Sequence, residues 1–437
     1  MRDARALVER IGVLRPLRVR DFGLLWGGQT VSLIGDGIYL VAIAWQAYDL
    51  SDSPSALAAV GLAWSLPQVV FLLGAGVLSD RLDRRHLMIA GDLLQGAAVC
   101  TIGAMSIAGT LTIPWLVALT AIVGIGQAIF EPAFLSVVPM IVEADLLVPA
   151  NSLAQVVRPL AWTLIGPLLG GALIAGVGTG PAFVLDAGTF AFAAVMIALM
   201  RTRPAARDDQ EQASAWDDLK EGVRYAKRTR WLWIGMVTAL VSLVAVWGPW
   251  DVLVPYVVRN ELGGSAASLG LVLGAGGVGS VIVAVTMGQR GTLPRRAMTT
   301  LYLTWGGAML MLAAFGFVTR VWQAALAAFI AQSSLSALMV IWYTVVQMLV
   351  PPRLMGRVMS LDSTISFAGV PLSFAIVGPA ADLFGADQVL IGGGIIGFAI
   401  TIGFMFSRGA RDPELDGSLE AARADEVASA EALAAPV

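Results

Sequence analysis

The chain has 437 residues, of which 57% are hydrophobic and 14% charged, with a net charge of -3 and a mean hydropathy of +0.78. Soluble domains carry about 25% charged residues, so this composition excludes an ordinary soluble enzyme and predicts a membrane protein. One histidine and one cysteine cannot build a zinc site, and no nucleotide-binding loop or hydrolase motif occurs. We therefore expect no catalytic residue, no metal and no cofactor.

Hydropathy predicts about twelve apolar segments, each long enough for a spanning helix of roughly 20 residues. A polar stretch divides them into two sets, so the sequence predicts an all-α membrane protein of two six-helix bundles. The predicted parts are a cytoplasmic arm (1–22), an N-terminal bundle (23–200), a linker (201–230), a C-terminal bundle (231–407) and a disordered cytoplasmic tail (408–437). The predicted spans are 23–48, 55–78, 87–108, 113–141, 150–177, 181–200, 231–257, 266–288, 298–318, 322–348, 357–384 and 387–407.

The basic residues are distributed unequally between the two sides of the predicted membrane. Of the 28 Lys and Arg residues, 25 lie on the side of the N-terminus. Arg259 and Arg320 lie on the opposite side, and Arg158 lies within a span. Because loops rich in Lys and Arg stay in the cytoplasm, we expect a multi-pass protein of the inner (cytoplasmic) membrane with both termini cytoplasmic.

The first span carries an acidic residue in its apolar middle. Asp36 stands between Gly35 and Gly37, about 14 residues or roughly 21 Å past the cytoplasmic end of the span. Carboxyl groups at this depth often relay protons in transporters. We expect Asp36 to carry a coupling proton; the alternative is a hydrogen bond to a neighbouring helix.

A dense charged loop, GVLSDRLDRRHLM, joins the second and third spans. It resembles the signature loop of the major facilitator superfamily, except that Asp83 replaces a glycine that allows a left-handed turn, which Asp tolerates. The resemblance implies a latch between the two bundles, whose charge-assisted bonds form and break during transport. The alternative is a simple topology anchor. The residues of the predicted latch are Gly76, Asp80, Arg81, Arg84 and Arg85.

Two charged residues lie at similar depths in the fourth and fifth spans. Glu131 and Arg158 are therefore expected to form a pair, which either takes part in proton coupling or is a static salt bridge.

The fifth span also contains GPLLGG, which resembles the antiporter motif of exporters in the superfamily. Small residues let a neighbouring helix approach closely, and proline permits a kink. The resemblance implies export, whereas the alternative is ordinary small-residue packing. The motif residues are Gly166, Pro167, Gly170 and Gly171.

Further stretches are similar to the drug-efflux and secretion-effector branch, which includes macrolide, siderophore and multidrug exporters. They are LIGDGIYLVAIAW in the first span, FEPAFLSVVP in the fourth and VPPRLMGRVMSL before the eleventh. Other drug exporters have an arginine in the fourth helix where this chain has Gly124, so the role of that arginine is not carried over.

The remaining signals concern the cavity, the interfaces and the linker. We expect Asp92, Asp186, Asp251 and Asp362 near the membrane surfaces.

SAWDDLKEGVRYAKRTR predicts an amphipathic linker helix that is either a plain connector or a contact with anionic lipid. GAGGVG in the eighth span matches a dinucleotide motif, but it lies inside a predicted helix, so helix packing explains it better. The candidate cavity residues are Trp45, Trp64, Trp162, Trp247 and Trp305.

Together these features predict a secondary active transporter that exports amphipathic small molecules, such as drugs, antibiotics or siderophores. Proton antiport with alternating access would drive it, and we expect a monomer in the lipid bilayer that binds neither nucleic acid nor nucleotide. One alternative is a proton-coupled or passive importer of a small nutrient. The other is a non-transporting membrane sensor or assembly factor.

Overall fold

The computed structural model describes residues 12–78, 83–201, 215–290 and 292–422, which are mostly helical and contain no β-strand. Eleven helices in this part of the chain are long and apolar enough to cross a membrane. The second helix, Pro54–Leu78, completes the predicted twelve, although only its segment Pro54–Val70 qualifies, as a shorter apolar helix. The predicted all-α membrane architecture is confirmed.

The helices of the first half follow a short 3₁₀ segment, Gly12–Arg18. They are α1 (Arg20–Leu50), α2 (Pro54–Leu78), α3 (Arg84–Ile107), α4 (Ile113–Ile141), α5 (Ala144–Arg158), α6 (Pro159–Val177) and α7 (Thr179–Ala198). The fifth predicted span comprises α5 and α6, and the first turns of α6, Pro159–Ile165, form a π-helix.

The second half begins after the linker helix α8 (Ala215–Arg228). Its helices are α9 (Arg230–Glu261), α10 (Ala266–Arg290), α11 (Ala297–Phe315), α12 (Val321–Leu349), α13 (Pro352–Ala368), α14 (Val370–Phe384), α15 (Ala386–Met405) and the short α16 (Asp412–Leu415). The eleventh predicted span comprises α13 and α14.

Each half of the chain packs as one bundle, in which its own helices contact one another. In the N-terminal bundle α3 packs against α4 and α7, while in the C-terminal bundle α10 packs against α12 and α11 against α15. The most extensive contacts between the bundles join α2 with α14 and α6 with α10. Tyr48 and Phe183 of the first bundle share one hydrophobic core with Val252 and Phe315 of the second.

Small residues allow the closest helix crossings. A Cβ atom on Gly166 would lie 2.6 Å from the Cα of Gly37, so the backbones of α1 and α6 touch. A Cβ atom on Gly171 would lie 3.0 Å from the Cα of Gly270, where α6 crosses α10. Any side chain at these points would separate the helices.

The glycines of GAGGVG also serve helix packing. They lie inside α10, where Gly274 packs against Leu168 of α6, and Gly276 packs against Gln332 of α12. The sequence interpretation of this stretch therefore agrees with the structure.

The linker and tail both pack on the C-terminal bundle. Glu221 of α8 forms an ion pair with Arg357 of α13, and Ala226 is buried in the C-terminal core. In the tail, the Glu414 carboxylate accepts hydrogen bonds from the backbone N–H and hydroxyl of Thr299, at 2.8 and 2.7 Å. Leu419 is buried in the same core.

This packing differs from the disorder expected after residue 408. The first turn of α11 supplies donors for Glu414, and the C-terminal core covers Leu419, so the tail is ordered as far as residue 422. Residues 423–437 lie outside the described part of the chain.

Candidate functional site

A cavity of about 570 Å³ lies between the two bundles. Helices α1 to α7 form its N-terminal wall, with α5 contributing Arg158, and α9 to α13, with Phe374 of α14, form its C-terminal wall. We call the end of the molecule that contains Arg20, Arg84 and Arg85 the arginine-rich end. The opposite end, where α1 ends and α2 begins, is the far end.

Contacts between the bundles close the cavity at the far end. The Tyr48 hydroxyl donates a 2.7 Å hydrogen bond to the carbonyl of Val252. Arg259 forms a 2.9 Å ion pair with Asp49 and lies over the ring of Trp45. The hydroxyls of Ser53 and Ser55 donate to the Asp382 carboxylate. We call this set of contacts the far-end seal.

The exposure of two charged side chains indicates that the cavity is accessible toward the arginine-rich end. Arg158 and Glu131 line it, and their side chains are 50% and 35% exposed. Their Nη1 and Oε1 atoms lie 3.6 Å apart, and the Arg158 guanidinium stands 5.5 Å from the ring centroid of Trp162. The expected pair is present, but it is a solvated pair rather than a buried one.

Three carboxyl groups converge on the N-terminal wall. Asp36 lines the cavity together with Asp92 and Asp186, which are only 2% and 0% exposed. A Cβ atom on Gly35 would lie 2.3 Å from Oδ1 of Asp186, which places this carboxyl group directly beside α1. One buried oxygen each of Asp92 and Asp186 has no hydrogen-bond partner among the described residues. Buried oxygens of this kind are costly unless a proton or a ligand satisfies them.

The C-terminal wall is richer in aromatic rings. Asp362 is buried there, and the indole Nε1 of Trp342 donates to its Oδ2 at 3.3 Å. Asp251 also lines the cavity. The rings of this wall are Trp247, Trp250, Trp305, Trp342, Tyr343, Phe367 and Phe374.

The expectation of surface positions for Asp92, Asp186, Asp251 and Asp362 is wrong, because all four line the cavity. The error lies in the helix ends. Hydropathy placed these ends two to five residues inside the observed ones, since α3, α7 and α13 begin earlier and α9 ends later than predicted. Each aspartate is therefore deeper in its helix than the sequence suggested.

Four of the five predicted tryptophans line the cavity, namely Trp64, Trp162, Trp247 and Trp305. Trp45 does not, because its ring lies under Arg259 in the far-end seal. Sequence reasoning missed Trp250 and Trp342. Trp250 stands one residue before Asp251, in a π-helical turn of α9 that no hydropathy pattern reveals.

The signature loop is described only in part. Asp80 and Arg81 lie outside the described residues, and Gly76 lies in the last turns of α2. Arg85 donates from Nε to the carbonyl of Ile197 at 3.1 Å, and Arg84 contacts Met140. Both partners belong to the N-terminal bundle, so these contacts do not bridge the bundles.

Asp83 does not adopt the left-handed turn that the family's glycine would allow. Its φ is -62°, and its side chain caps α3 by accepting a 2.9 Å hydrogen bond from the N–H of Arg85. Helix capping, a common role of aspartate, explains the residue at this position.

The glycines of GPLLGG serve two interfaces. Gly166 and Gly170 pack against α1 within the N-terminal bundle, whereas Gly171 packs against α10 across the bundles. Pro167 lines the cavity. Gly124, where other exporters carry arginine, is also tightly packed, because a Cβ atom there would lie 2.3 Å from the carbonyl oxygen of Trp64.

Comparisons with known proteins agree with this architecture. A family model described as transmembrane secretion effector matches residues 11–430. The chain is 29% identical over 375 residues to the multidrug efflux pump Tap of Mycolicibacterium fortuitum, covering 82% of this chain and 88% of that protein. It is 22% identical over 388 residues to macrolide efflux protein A of Streptococcus pyogenes, covering 87% and 94%.

Among solved structures, the chain is similar to a bacterial homologue of the iron transporter ferroportin in the inward-facing state. The TM-score is 0.69 at 16% identity, covering 90% of this chain and 99% of the other. At this identity the likeness concerns the fold alone. The family match over nearly the whole length, together with two bundles around a central cavity, shows that the chain is a membrane transporter of the transmembrane secretion effector family within the major facilitator superfamily.

Proposed function

We propose that the protein exports amphipathic small molecules, such as drugs, antibiotics or siderophores, across the cytoplasmic membrane in exchange for protons. The observation that carries this proposal is the placement of Asp36, Asp92 and Asp186 in the wall of an aromatic cavity between two bundles. The wall offers apolar surface for an amphipathic molecule and carboxyl groups for a proton. Two relatives are named as efflux proteins, and these names support export as the direction of transport.

Asp36 is the residue that we propose to carry the coupling proton. It lies between two glycines that pack closely on other helices: Gly35 beside Asp186, and Gly37 beside Gly166 of the GPLLGG motif. A change in the crossing of α1 and α6 would therefore change the surroundings of the Asp36 carboxyl group. Coupling between a protonation step and helix movement requires such a link.

The proposed orientation places both termini in the cytoplasm, because 25 of the 28 basic residues lie on the side of the N-terminus. The accessible end of the cavity then faces the cytoplasm, which is the side from which an exporter takes its substrate. The far-end seal would close the outer side. Release of the substrate to the outside would require the far-end seal to open and the arginine-rich end to close.

Inside-out membrane vesicles from an overexpressing strain test the proposal, with ethidium as the probe. Respiration acidifies the vesicle interior, so we expect ethidium uptake that a protonophore abolishes. Asp36→Asn should still permit downhill ethidium exchange, because the amide preserves most hydrogen bonds, but it should lose uphill uptake. A neutral amide cannot release a proton.

Three results would contradict the proposal. Uphill uptake by Asp36→Asn with normal pH dependence would move the proton to another group, with Glu131 as the next candidate. Ethidium movement in the opposite direction would indicate an importer. Equal uptake in vesicles with and without the protein would favour a non-transporting role.

A further inference from the structure

We propose that the C-terminal wall of the cavity holds a separate recognition site for a lipophilic monovalent cation, with the Asp362 carboxylate as the counter-charge and Trp342, Tyr343 and Phe367 as apolar walls. This inference rests on the proposed function, because it identifies the chemical class of the exported molecule and the place where its charge binds.

The first argument concerns the partners of Asp362. Its side chain is buried at 7% exposure, and the indole N–H of Trp342 donates to Oδ2. An indole N–H is a donor only, so it suits an acceptor oxygen of a carboxylate. No lysine or arginine in the described part of the chain forms an ion pair with Asp362. A buried carboxylate without a cation is unfavourable, and a cationic ligand in the cavity would supply the missing charge.

The second argument is that Asp36 and Asp362 have different surroundings in the cavity. Asp36 interacts electrostatically with Arg158, Glu131, Asp92 and Asp186, all of which belong to the N-terminal bundle. Asp362 interacts instead with Trp342 and Tyr343 of α12. Arg158 also interacts electrostatically with Tyr343, but its guanidinium pairs with Glu131 and lies over the ring of Trp162.

The third argument concerns the surface around Asp362. Ser363, Ser366 and Phe367 follow it on the cavity face of α13, and the ring of Phe367 lies 6.3 Å from that of Trp247. Aromatic faces attract organic cations, which lose little hydration when they bind. A small, strongly hydrated ion would lose more hydration free energy than contact with the rings returns. A divalent metal would need several oxygen ligands, and the described residues contain no group of three or more acidic, histidine or cysteine side chains that could hold one.

This arrangement changes how the proton and the exported cation are coupled. The proton binds on one bundle and the cation on the other, so they do not compete for one carboxylate. Their exchange would depend on the relative position of the two bundles. Affinity for the cation should therefore survive the loss of the Asp36 carboxylate.

Equilibrium binding of radiolabelled tetraphenylphosphonium to the purified full-length protein tests the proposal. We expect saturable binding that Asp362→Asn weakens at least about tenfold, as loss of a charge-assisted contact does. Asp362→Glu should retain most of the affinity because it keeps the charge. Asp36→Asn tests whether the two sites are separate and should change the dissociation constant by less than about threefold, as should the control Asp416→Asn, whose residue is exposed outside the cavity.

A second pair of variants keeps the test independent of the folding of Asp362→Asn. Trp342→Phe removes the N–H that donates to the Asp362 carboxylate, and Trp250→Phe makes the same change on the same wall at a ring that packs against Phe315. We expect weaker tetraphenylphosphonium binding for Trp342→Phe than for Trp250→Phe. Thermal unfolding of each variant checks that the protein is folded.

The inference would be overturned by any of three results. These are no saturable binding to the unaltered protein, equal affinity of the unaltered protein and Asp362→Asn, or an equal loss in Asp36→Asn, which would indicate one shared site. The proposed function fails by a different measurement, namely the absence of proton-driven ethidium uptake in vesicles, so the two failures are distinguishable.

Discussion

At the scale of single residues, exposure decides how much the Glu131–Arg158 pair contributes to stability. The sequence suggested a buried pair, in which removal of one partner would strand a charge at a cost of several kcal/mol. The structure places the two side chains at 35% and 50% exposure, with 3.6 Å between their charged atoms. Water screens such a pair, and measured pairs of this kind contribute about 0.2–1 kcal/mol.

We therefore predict that Glu131→Gln, Arg158→Gln and the double variant differ little in thermal stability. The coupling free energy from the double-mutant cycle should not exceed about 1 kcal/mol. Unfolding of the purified variants in detergent measures it. A loss of several kcal/mol in either single variant, recovered in the double variant, would show that the charges are desolvated.

At the scale of helices, the sequence predicted which segments span the membrane but not where they end. Capped by Asp83, α3 begins at Arg84, three residues before the predicted span, and α13 begins at Pro352, five residues before the predicted span. Arg84 and Arg85 lie in the first turn of α3, and Arg353 and Arg357 lie in the first two turns of α13. Charged first turns lower the hydropathy of a window although the backbone is already helical, so the depth of Asp92 and Asp362 could not be read from the sequence.

Helix crossings were also only partly predictable. The small residues of GPLLGG indicated close packing, and the sequence places them in the fifth span. Which neighbour each glycine touches depends on the rotation of α6 between α1 and α10, and this rotation is a property of the folded bundles. The same holds for Asp36, whose depth was predictable but whose neighbours Asp92 and Asp186 were not.

Gly124 provides a test of one such crossing. A Cβ atom at this position would lie 2.3 Å from the carbonyl oxygen of Trp64, so α2 and α4 could not keep their present distance. We predict that Gly124→Ala destabilises the protein by about 1–3 kcal/mol. Gly188→Ala is the matched control, because Gly188 lies inside α7 with open space around its Cβ direction.

The control should be neutral or slightly stabilising, since alanine favours helix more than glycine does. Thermal unfolding of the two variants side by side measures the difference. If Gly124→Ala unfolds at the temperature of Gly188→Ala, the α2–α4 crossing is looser than the structure indicates.

At the scale of the whole molecule, the two helix bundles differ in the chemistry of the cavity walls that they form. The N-terminal wall of the cavity holds Asp36, Asp92, Asp186 and the Glu131–Arg158 pair, and the C-terminal wall holds most of the tryptophans. The bundles meet along α2–α14 and α6–α10 and at the far-end seal. Under the alternating access that we propose, this seal must break, and the close glycine crossing of α6 and α10 would be the point about which the bundles rotate.

A cross-link across the far-end seal should therefore stop transport. Cys100 is the single cysteine, so Cys100→Ser provides a cysteine-free background. Ser55 of α2 donates a hydrogen bond to Asp382 of α14, and a short bifunctional thiol reagent can join cysteines at these two positions. We expect the linked Ser55→Cys/Asp382→Cys protein to lose ethidium transport and to recover it after reduction.

The matched pair Ser106→Cys/Thr179→Cys lies within the N-terminal bundle, where the two hydroxyl oxygens are 3.3 Å apart. Its cross-link should leave the transport rate unchanged, because both residues move with one bundle. Undiminished transport by the protein linked across the seal would mean that the bundles need not separate at the far end.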